Sequence, residues 1–289
     1  MRAEGDKDEI LNHYKDVIGH ARGYNLEVIV DVAPSIFEKF GLKPGDLRLF
    51  HEMGATGIRL DEGFSAAENA RLTSNPYGLS IELNASSNDN IVGSILAFKP
   101  NIDRLLTCHN FYPQRYTGLG QDFFDKTSQA MKHHNMRVAA FVGSNNPEAM
   151  GPWPVKEGLV TLEDHRDLPI DAQIRQLVAH PHVDDIIISN VYPTQKELEA
   201  IANVNLTHLQ FKTALNDGVT YADADIEPRD TKDLLPGDIV VLNNEYGRYK
   251  GELHIVLKPM KNEGNKNVVG KIVASDIFNM RYIDSWKVF

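Results

Sequence analysis

Short apolar runs that each end in a polar residue recur along the first two thirds of the chain. Six such runs occupy residues 28–31, 57–61, 79–84, 105–110, 138–145 and 186–190. Runs this short, rich in Val, Ile and Leu and bounded by turn residues, are typical of buried parallel strands. Each run therefore predicts one strand that ends at its polar residue.

The stretches between the runs have helical periodicity. Apolar residues spaced by three or four positions lie on one stripe of a helix. Residues 7–22 carry such a stripe, formed by Ile10, Tyr14, Ile18 and Ala21. Alternation of strand and helix predicts an α/β fold with a parallel sheet, either doubly wound or a (β/α)8 barrel. No glycine-rich phosphate loop follows any run, so we favour the TIM-type (β/α)8 barrel.

A complete (β/α)8 barrel has eight strands, whereas the runs predict only six. The chain also opens on a helix rather than on a strand. The simplest interpretation is that two strand–helix units precede Met1. We therefore expect residues 1–212 to form a barrel domain that is incomplete at its N-terminus.

The character of the sequence changes after about residue 205. Residues 213–235 are polar and contain Asn216, Gly218 and Pro228, which predicts a loop or linker. Short apolar runs with turn signals follow and predict strands at residues 239–242, 251–257, 268–272 and 280–283. Residues 213–289 are therefore expected to form a linker and a small β domain.

The charge balance argues against a basic nucleic-acid-binding protein. The 289 residues include 30 Lys and Arg against 40 Asp and Glu, a net charge of −10, so little of this surface could neutralise phosphates. No apolar run approaches the ~18 residues of a membrane-spanning helix. Residues 1–10 are mostly charged and do not resemble a signal peptide. We expect a cytoplasmic protein that binds neither nucleic acid nor membrane.

The polar residues at the strand ends form the candidate site. The carboxyl ends of parallel strands meet at one edge of the sheet, where the loops converge. The residues expected there are Asp31, Asp61, Glu82, Asn84, His109, Asn110, Asn145 and Asn190. The alternative interpretation is that these residues have no functional role and are polar only because loops are generally polar.

Asp61 and Glu82 are the candidate catalytic carboxylates. Paired carboxylates hydrolyse glycosidic bonds, one protonating the leaving oxygen and the other acting as base or stabiliser. The sequence does not decide which residue takes which role, or whether the reaction retains or inverts configuration. For Glu82 the alternative is a buried ion pair with Arg59 on the neighbouring strand.

The densest polar segment is residues 108–114. His109 and Asn110 can orient a sugar hydroxyl or an amide, and Tyr112 offers an apolar face with a polar tip. A catalytic pair of Cys108 with His109 is disfavoured because adjacent strand residues point to opposite faces. Cys108 is the single cysteine, which excludes an internal disulfide and a cysteine-cluster metal site. A site of His109, Asp31 and Asp61 lacks the spacing of a known metal motif, so no metal is expected.

Several segments together resemble one family. They are residues 29–34 (IVDVAP), 57–61 (GIRLD), 81–84 (IELN), 108–114 (CHNFYPQ), 151–153 (GPW) and 246–253 (YGRYKGEL). They resemble the bacterial 6-phospho-N-acetylmuramidases, long catalogued as outer-surface proteins, and the resemblance runs over nearly the whole chain. It implies a (β/α)8 barrel followed by a cyclophilin-like β domain, and no cofactor.

The activity implied by the resemblance is hydrolysis of the β-1,4 bond in N-acetylmuramic acid 6-phosphate–N-acetylglucosamine. This reaction belongs to cytoplasmic recycling of cell-wall sugars, and the partner is a phosphorylated amino-sugar disaccharide. The substrate contacts expected for it are Asp31, Asn84, His109, Asn110, Tyr112, Gln114, Trp153 and Asn190. For Trp153 the alternative to stacking on a sugar ring is packing against the small domain.

The sequence departs from the family in two places. The first two strand–helix units are absent, and the region around residues 211–230 is shorter and poorer in arginine than in relatives. Arginines bind phosphate bidentately, so the alternative function is a degenerate barrel that binds a sugar phosphate without cleaving it. A sugar-phosphate isomerase or aldolase is less favoured, since no strand ends in a Schiff-base lysine. An open barrel also exposes two sheet edges, which a homo-oligomer could cover.

Overall fold

The computed structural model divides into two compact units, Met1–Arg166 with His182–Tyr192, and Asp167–Pro181 with Pro193–Phe289. The residues that it describes are 7–43, 45–60, 64–87, 91–152, 154–204, 211–217, 233–235, 237–242, 253–256, 259–262 and 266–275. Asp61, Trp153 and the strand predicted at residues 280–283 lie outside these residues. The domain boundary expected at residue 212 stays a prediction.

The first unit contains a parallel sheet of six strands whose spatial order follows the sequence. The strands are β1 (Ile29–Asp31), β2 (Gly57–Arg59), β3 (Ser80–Asn84), β4 (Leu105–Cys108), β5 (Arg137–Val142) and β6 (Asp185–Ile188). All five neighbouring pairs are parallel. The six strands predicted from the apolar runs and the mixed α/β class are therefore confirmed.

One helix precedes these strands and five others connect β1 to β5 in sequence. They are α1 (Lys7–Gly23), α2 (Pro34–Lys39), α3 (Arg48–Glu52), α4 (Ala66–Leu72), α5 (Ile91–Ala97) and α6 (Gln121–His133). The first helix confirms the prediction from the apolar stripe. A capping box starts α4: the Ser65 hydroxyl accepts from the Glu68 amide, and the Glu68 carboxylate accepts from the Ser65 amide.

One face of the sheet forms the apolar core with the helices. Val30, Ile58 and Ile81 lie side by side on β1, β2 and β3, and they pack in one cluster with Phe37 and Phe50 from the helices. Adjacent residues on a strand point to opposite faces. The residues that follow these three, Asp31, Arg59 and Glu82, therefore lie on the other face.

The sheet curls, and this other face is its concave side. The Arg137 guanidinium, at the start of β5, lies 2.8 Å from a Glu27 carboxylate oxygen just before β1. Arg137 also donates to both carboxylate oxygens of Asp185 at 2.8 and 3.1 Å. In the described part of the chain β1 and β6 each pair with one strand, so the sheet is a half-barrel with two edges.

The second unit contains two helices and an antiparallel sheet. The elements are α7 (Ile170–Ala179), α8 (Gln195–Ala202), β7 (Phe211–Leu215), β8 (Asp238–Leu242), β9 (Leu253–Ile255) and β10 (Lys266–Ser275), with strand order β7-β10-β8-β9. Strands β8, β9 and β10 confirm three of the predicted strands. No helix in the described residues is long and apolar enough to cross a membrane.

Strand β7 corrects the prediction of a linker at its residues 213–215. It pairs antiparallel with β10, from Phe211 opposite Ser275 to Leu215 opposite Gly270. The hydrogen bonds that stabilise β7 come from a strand more than fifty residues away in the sequence. Local composition does not show such a partner, which is why the segment looked like a loop.

Candidate functional site

Three charged residues lie in one row on the concave face of the six-stranded sheet. The strand register places Asp31 beside Arg59 and Arg59 beside Glu82. Asp31 and Arg59 are the last residues of their strands, and Glu82 lies two residues before the end of β3. The predicted site residues Asp31 and Glu82 therefore lie close to each other, toward the carboxyl ends of their strands.

Arg59 is the centre of this row. Its Nη1 lies 3.2 Å from Glu82 Oε1, and the two side chains are only 9% and 10% exposed. The same nitrogen donates to the Cys108 carbonyl at 3.3 Å, and Nη2 donates to Asn110 Oδ1. The guanidinium thus joins β2 to β3 and to the end of β4. The ion pair considered as the alternative for Glu82 is confirmed, and it lies within the candidate site.

Burial raises the pKa of Glu82. Desolvation is the largest cause and disfavours the ionised carboxylate, while Arg59 opposes it by attraction and by hydrogen bonding. The negative charges of Asp31 and Asp185 add to the increase. Glu82 therefore holds a proton to higher pH than an exposed glutamate does, although it touches an arginine.

A hydrogen-bond network fastens the ends of β3 and β4 to each other. Asn84 Oδ1 accepts from the Ser86 amide at 2.7 Å, and Ser86 Oγ accepts from the Asn110 amide at 2.8 Å. Asn110 in turn accepts from Arg59. Asn84 and Asn110, both predicted site residues, therefore lie in one connected network with Glu82.

His109 is fully buried behind this network. Its Nδ1 lies 3.3 Å from Ser86 Oγ, and its Nε2 lies 2.9 Å from Ser128 Oγ on α6. Its ring packs against Phe124 with ring centres 4.5 Å apart. Both ring nitrogens have hydroxyl partners, so this placement positions the loop after β4. The Cys108 thiol donates to the His109 carbonyl rather than to the ring, and burial raises the pKa of that thiol.

The loop after β4 is held by a carboxylate–guanidinium clamp. Arg166 donates to both carboxylate oxygens of Glu163 at 2.7 Å, and its side chain is 2% exposed. The same carboxylate accepts from the Tyr116 and Gly118 amides at 2.8 Å. These four hydrogen bonds, led by those from Arg166, lower the pKa of Glu163 to about 2.

The other predicted residues of this loop lie beside the clamp. The Tyr112 carbonyl accepts a hydrogen bond from Arg166 at 3.0 Å, and the Tyr112 amide donates to the Val160 carbonyl at 3.0 Å. Tyr112 is half-buried, whereas Gln114 is exposed. The sequence pattern did not predict the clamp. The only local signal was the spacing of Glu163 and Arg166 by three residues.

Asn190 binds the backbone of the loop after β5. Its Oδ1 accepts from the Ser144 amide at 2.8 Å, and its Nδ2 donates to the Ser144 carbonyl at 3.0 Å. Asn190 is buried, whereas Asn145 is exposed. Asn190 therefore joins the ends of β5 and β6, apart from the network around Glu82. In the described part of the chain, no three His, Cys, Asp or Glu residues lie close enough to hold a metal ion.

The solved structures that are similar to this chain include two crystal structures. The crystal structure of an uncharacterized B. cereus protein is 39% identical with a TM-score of 0.76, and the match covers 93% of this chain and 85% of that chain. The crystal structure of a conserved Enterococcus faecalis protein with an unknown function is 23% identical with a TM-score of 0.63. That match covers 95% of this chain and 82% of that chain and shows the fold alone.

Two family profiles match the sequence. The one described as "6-phospho-N-acetylmuramidase, N-terminal" matches residues 1–203, and the one described as "6-phospho-N-acetylmuramidase, C-terminal" matches residues 215–289. Among curated proteins, none matches. The resemblance found in the sequence motifs is confirmed. The chain belongs to the 6-phospho-N-acetylmuramidase family.

Proposed function

We propose that the protein hydrolyses the β-1,4 bond of N-acetylmuramic acid 6-phosphate–N-acetylglucosamine, with Glu82 and Asp61 as its catalytic pair. The family description supports a glycosidase that acts on a phosphorylated sugar. The observation that carries the proposal is Glu82, a buried carboxyl with a raised pKa that lies two residues before the end of β3. A carboxyl that keeps its proton to higher pH than an exposed glutamate is suited to act as a proton donor.

In this proposal Glu82 is the general acid. Its proton passes to the glycosidic oxygen as the bond between that oxygen and the anomeric carbon breaks. Water then attacks the anomeric carbon and gives its proton to Asp61, which follows β2 by two residues in the sequence. Arg59 Nη1 donates to Glu82 Oε1 at 3.2 Å, so in this proposal Oε2 carries the proton that is transferred.

The remaining predicted site residues divide into two roles. We assign contact with the sugar to Asp31, Asn84, Asn110, Tyr112, Gln114 and Trp153. His109 and Asn190 act instead as positioning residues. Both are buried, and their side-chain polar atoms form hydrogen bonds with Ser86, with Ser128 and with the Ser144 backbone.

The finer fold assignment belongs to the same proposal. We infer that the curled sheet is part of a (β/α)8 barrel and that the antiparallel sheet belongs to a cyclophilin-like domain. The reaction would serve cytoplasmic recycling of cell-wall sugars. What supports this is the family match over residues 1–203 and 215–289.

The test is to incubate the purified protein with the disaccharide and detect both monosaccharides by mass spectrometry. Glu82→Gln and Asp61→Asn should each lower turnover by roughly 10²-fold or more, since general acid–base groups contribute this much. Glu38→Gln, on the exposed surface of α2, is the matched control and should leave turnover unchanged. If the disaccharide raises the melting temperature of the folded wild type but no product forms, the alternative of a binding protein is correct.

A further inference from the structure

Five non-glycine residues in the described part of the chain have a left-handed backbone. They are Asn25, Lys99, Tyr116, Asn135 and Tyr192, with φ between 53° and 65°. Three of them lie two residues beyond the ends of α1, α5 and α6, where a left-handed residue ordinarily terminates a helix. The two tyrosines differ from these three. Tyr116 follows the carboxyl end of β4 and Tyr192 follows the carboxyl end of β6, and the candidate site lies at the carboxyl ends of the strands.

Tyr116 is held in its conformation by the clamp. It has φ of 64°, and the residue is 88% exposed. Its amide donates to Glu163 Oε1 at 2.8 Å, and Glu163 is fixed by the buried Arg166. A left-handed backbone is strained for a bulky residue, and such strain persists only where the surrounding structure holds the residue in place.

Tyr192 is held in a similar way by a different side chain. It has φ of 65° and is 66% exposed. Its carbonyl accepts from Asn146 Nδ2 at 2.7 Å, and the neighbouring Val191 forms two backbone hydrogen bonds with Met150 at 2.8 and 3.1 Å. Asn146, Met150 and Glu163 all belong to the segment between β5 and β6. One segment therefore fixes the backbone of both tyrosines.

Neither ring contributes much to the stability of the fold. The stabilisation that an apolar group provides is proportional to the area removed from water, and both tyrosines remain mostly exposed. Each ring is nevertheless exposed on a left-handed residue whose backbone is held by a neighbouring side chain. Tyrosine supplies a large, rigid contact area with an apolar face and a polar tip at low entropic cost. A pyranose ring offers the matching chemistry, since it has apolar C–H faces and hydroxyl edges.

We propose that Tyr116 and Tyr192 are specificity-determining residues that contact the sugar rings of the substrate. This inference rests on the proposed function. The two rings bind parts of the disaccharide away from the bond that breaks, so they contribute to substrate binding rather than to the chemical step.

The experiment compares Tyr116→Gly and Tyr192→Gly with the wild type. Glycine removes the ring and also relieves the left-handed strain, so each variant should melt at the same or a higher temperature. KM for the disaccharide should rise roughly tenfold per ring while kcat changes little. Tyr116→Phe keeps the ring, so its rise in KM should be smaller. Tyr24→Ala is the matched control. Tyr24 is 71% exposed, but it lies between α1 and β1, near the amino end of a strand rather than the carboxyl end.

Titration calorimetry separates this inference from the proposed function. The probe is the disaccharide, added to Glu82→Gln protein with and without each tyrosine substitution. If the wild type binds the disaccharide without cleaving it and the tyrosine variants bind it tenfold more weakly, the hydrolase assignment fails and the role of the tyrosines stands. Unchanged KM and Kd in both glycine variants would overturn the role of the tyrosines whatever the activity. A wild type that does not bind the disaccharide would overturn both.

Discussion

Replacing Glu163 by Gln breaks the clamp that holds the loop after β4. The carboxylate accepts four hydrogen bonds, two from Arg166 and one each from the Tyr116 and Gly118 amides. A glutamine keeps one acceptor oxygen but turns an NH2 group toward N–H donors. Arg166, whose side chain is 2% exposed, would then be a buried charge without its counter-ion.

The cost follows from that burial. Removing one partner of a buried ion pair typically costs about 3–5 kcal/mol. The guanidinium keeps its hydrogen bonds to the carbonyls of Tyr112 and Glu157, which favours the lower end, about 3 kcal/mol. Glu157→Gln is the control, because Glu157 is exposed and its carboxylate accepts only one described hydrogen bond, from the Arg115 amide. Loss of that bond should cost about 1 kcal/mol or less.

The same ion pair gives the stability a pH dependence with a definite sign. The pKa of Glu163 is lowered from 4.5 to about 2 in the folded protein. A depressed carboxyl pKa stabilises the fold above pH 4.5, and this contribution is lost as the pH falls toward 2. Because the carboxylate is partly exposed, we expect about 1–2 kcal/mol from this linkage rather than the full value of the shift.

The assay is urea unfolding of wild type, Glu163→Gln and Glu157→Gln at pH 7 and at pH 3. The difference in unfolding free energy between wild type and Glu163→Gln should be largest at pH 7 and should shrink at pH 3. If Glu163→Gln and the wild type have the same unfolding midpoint at pH 7, the clamp does not stabilise the fold.

Three further predictions concern the site and its support. Arg59→Met removes the attraction that opposes burial, so the pKa of Glu82 rises further. The alkaline limb of the kcat/KM profile should then move up by roughly 1–2 pH units, and an unmoved limb would argue against Glu82 as the acid. Gly118→Ala places a Cβ 2.6 Å from Glu163 Oε2 and should cost about 1–3 kcal/mol in thermal unfolding. Ser86→Ala removes an acceptor of the Asn110 amide, so kcat should fall more than KM changes. A Ser86→Ala enzyme with wild-type kcat would show that the network does not position the site.

The strands were predictable because their signal is local. Each apolar run is short, rich in branched residues and bounded by a polar residue, and a buried parallel strand requires this pattern. The run at residues 105–108 coincides with β4. Strand β7 was missed because its partner β10 is distant in the sequence.

The candidate site was predictable only in part. Topology brings strand ends together, so the gathering of Glu82, Asn84 and Asn110 follows from the order of the runs. What each polar atom binds depends on loop geometry. His109 and Asn190 have the residue type and the position expected of substrate contacts. In the structure, however, His109 forms hydrogen bonds with Ser86 and Ser128, and Asn190 forms hydrogen bonds with the Ser144 backbone. No sequence pattern distinguishes these two uses.

The most direct test of Glu82 as the proton donor compares two substrates of different leaving groups. One is the natural disaccharide, and the other is a 4-nitrophenyl glycoside of N-acetylmuramic acid 6-phosphate, whose leaving group departs without protonation. Glu82→Gln should lose roughly 10²-fold or more in kcat/KM on the disaccharide but remain close to wild type on the aryl glycoside. Equal losses on both substrates would contradict the role of Glu82 as general acid, and undiminished cleavage of the disaccharide would remove Glu82 from the catalytic pair.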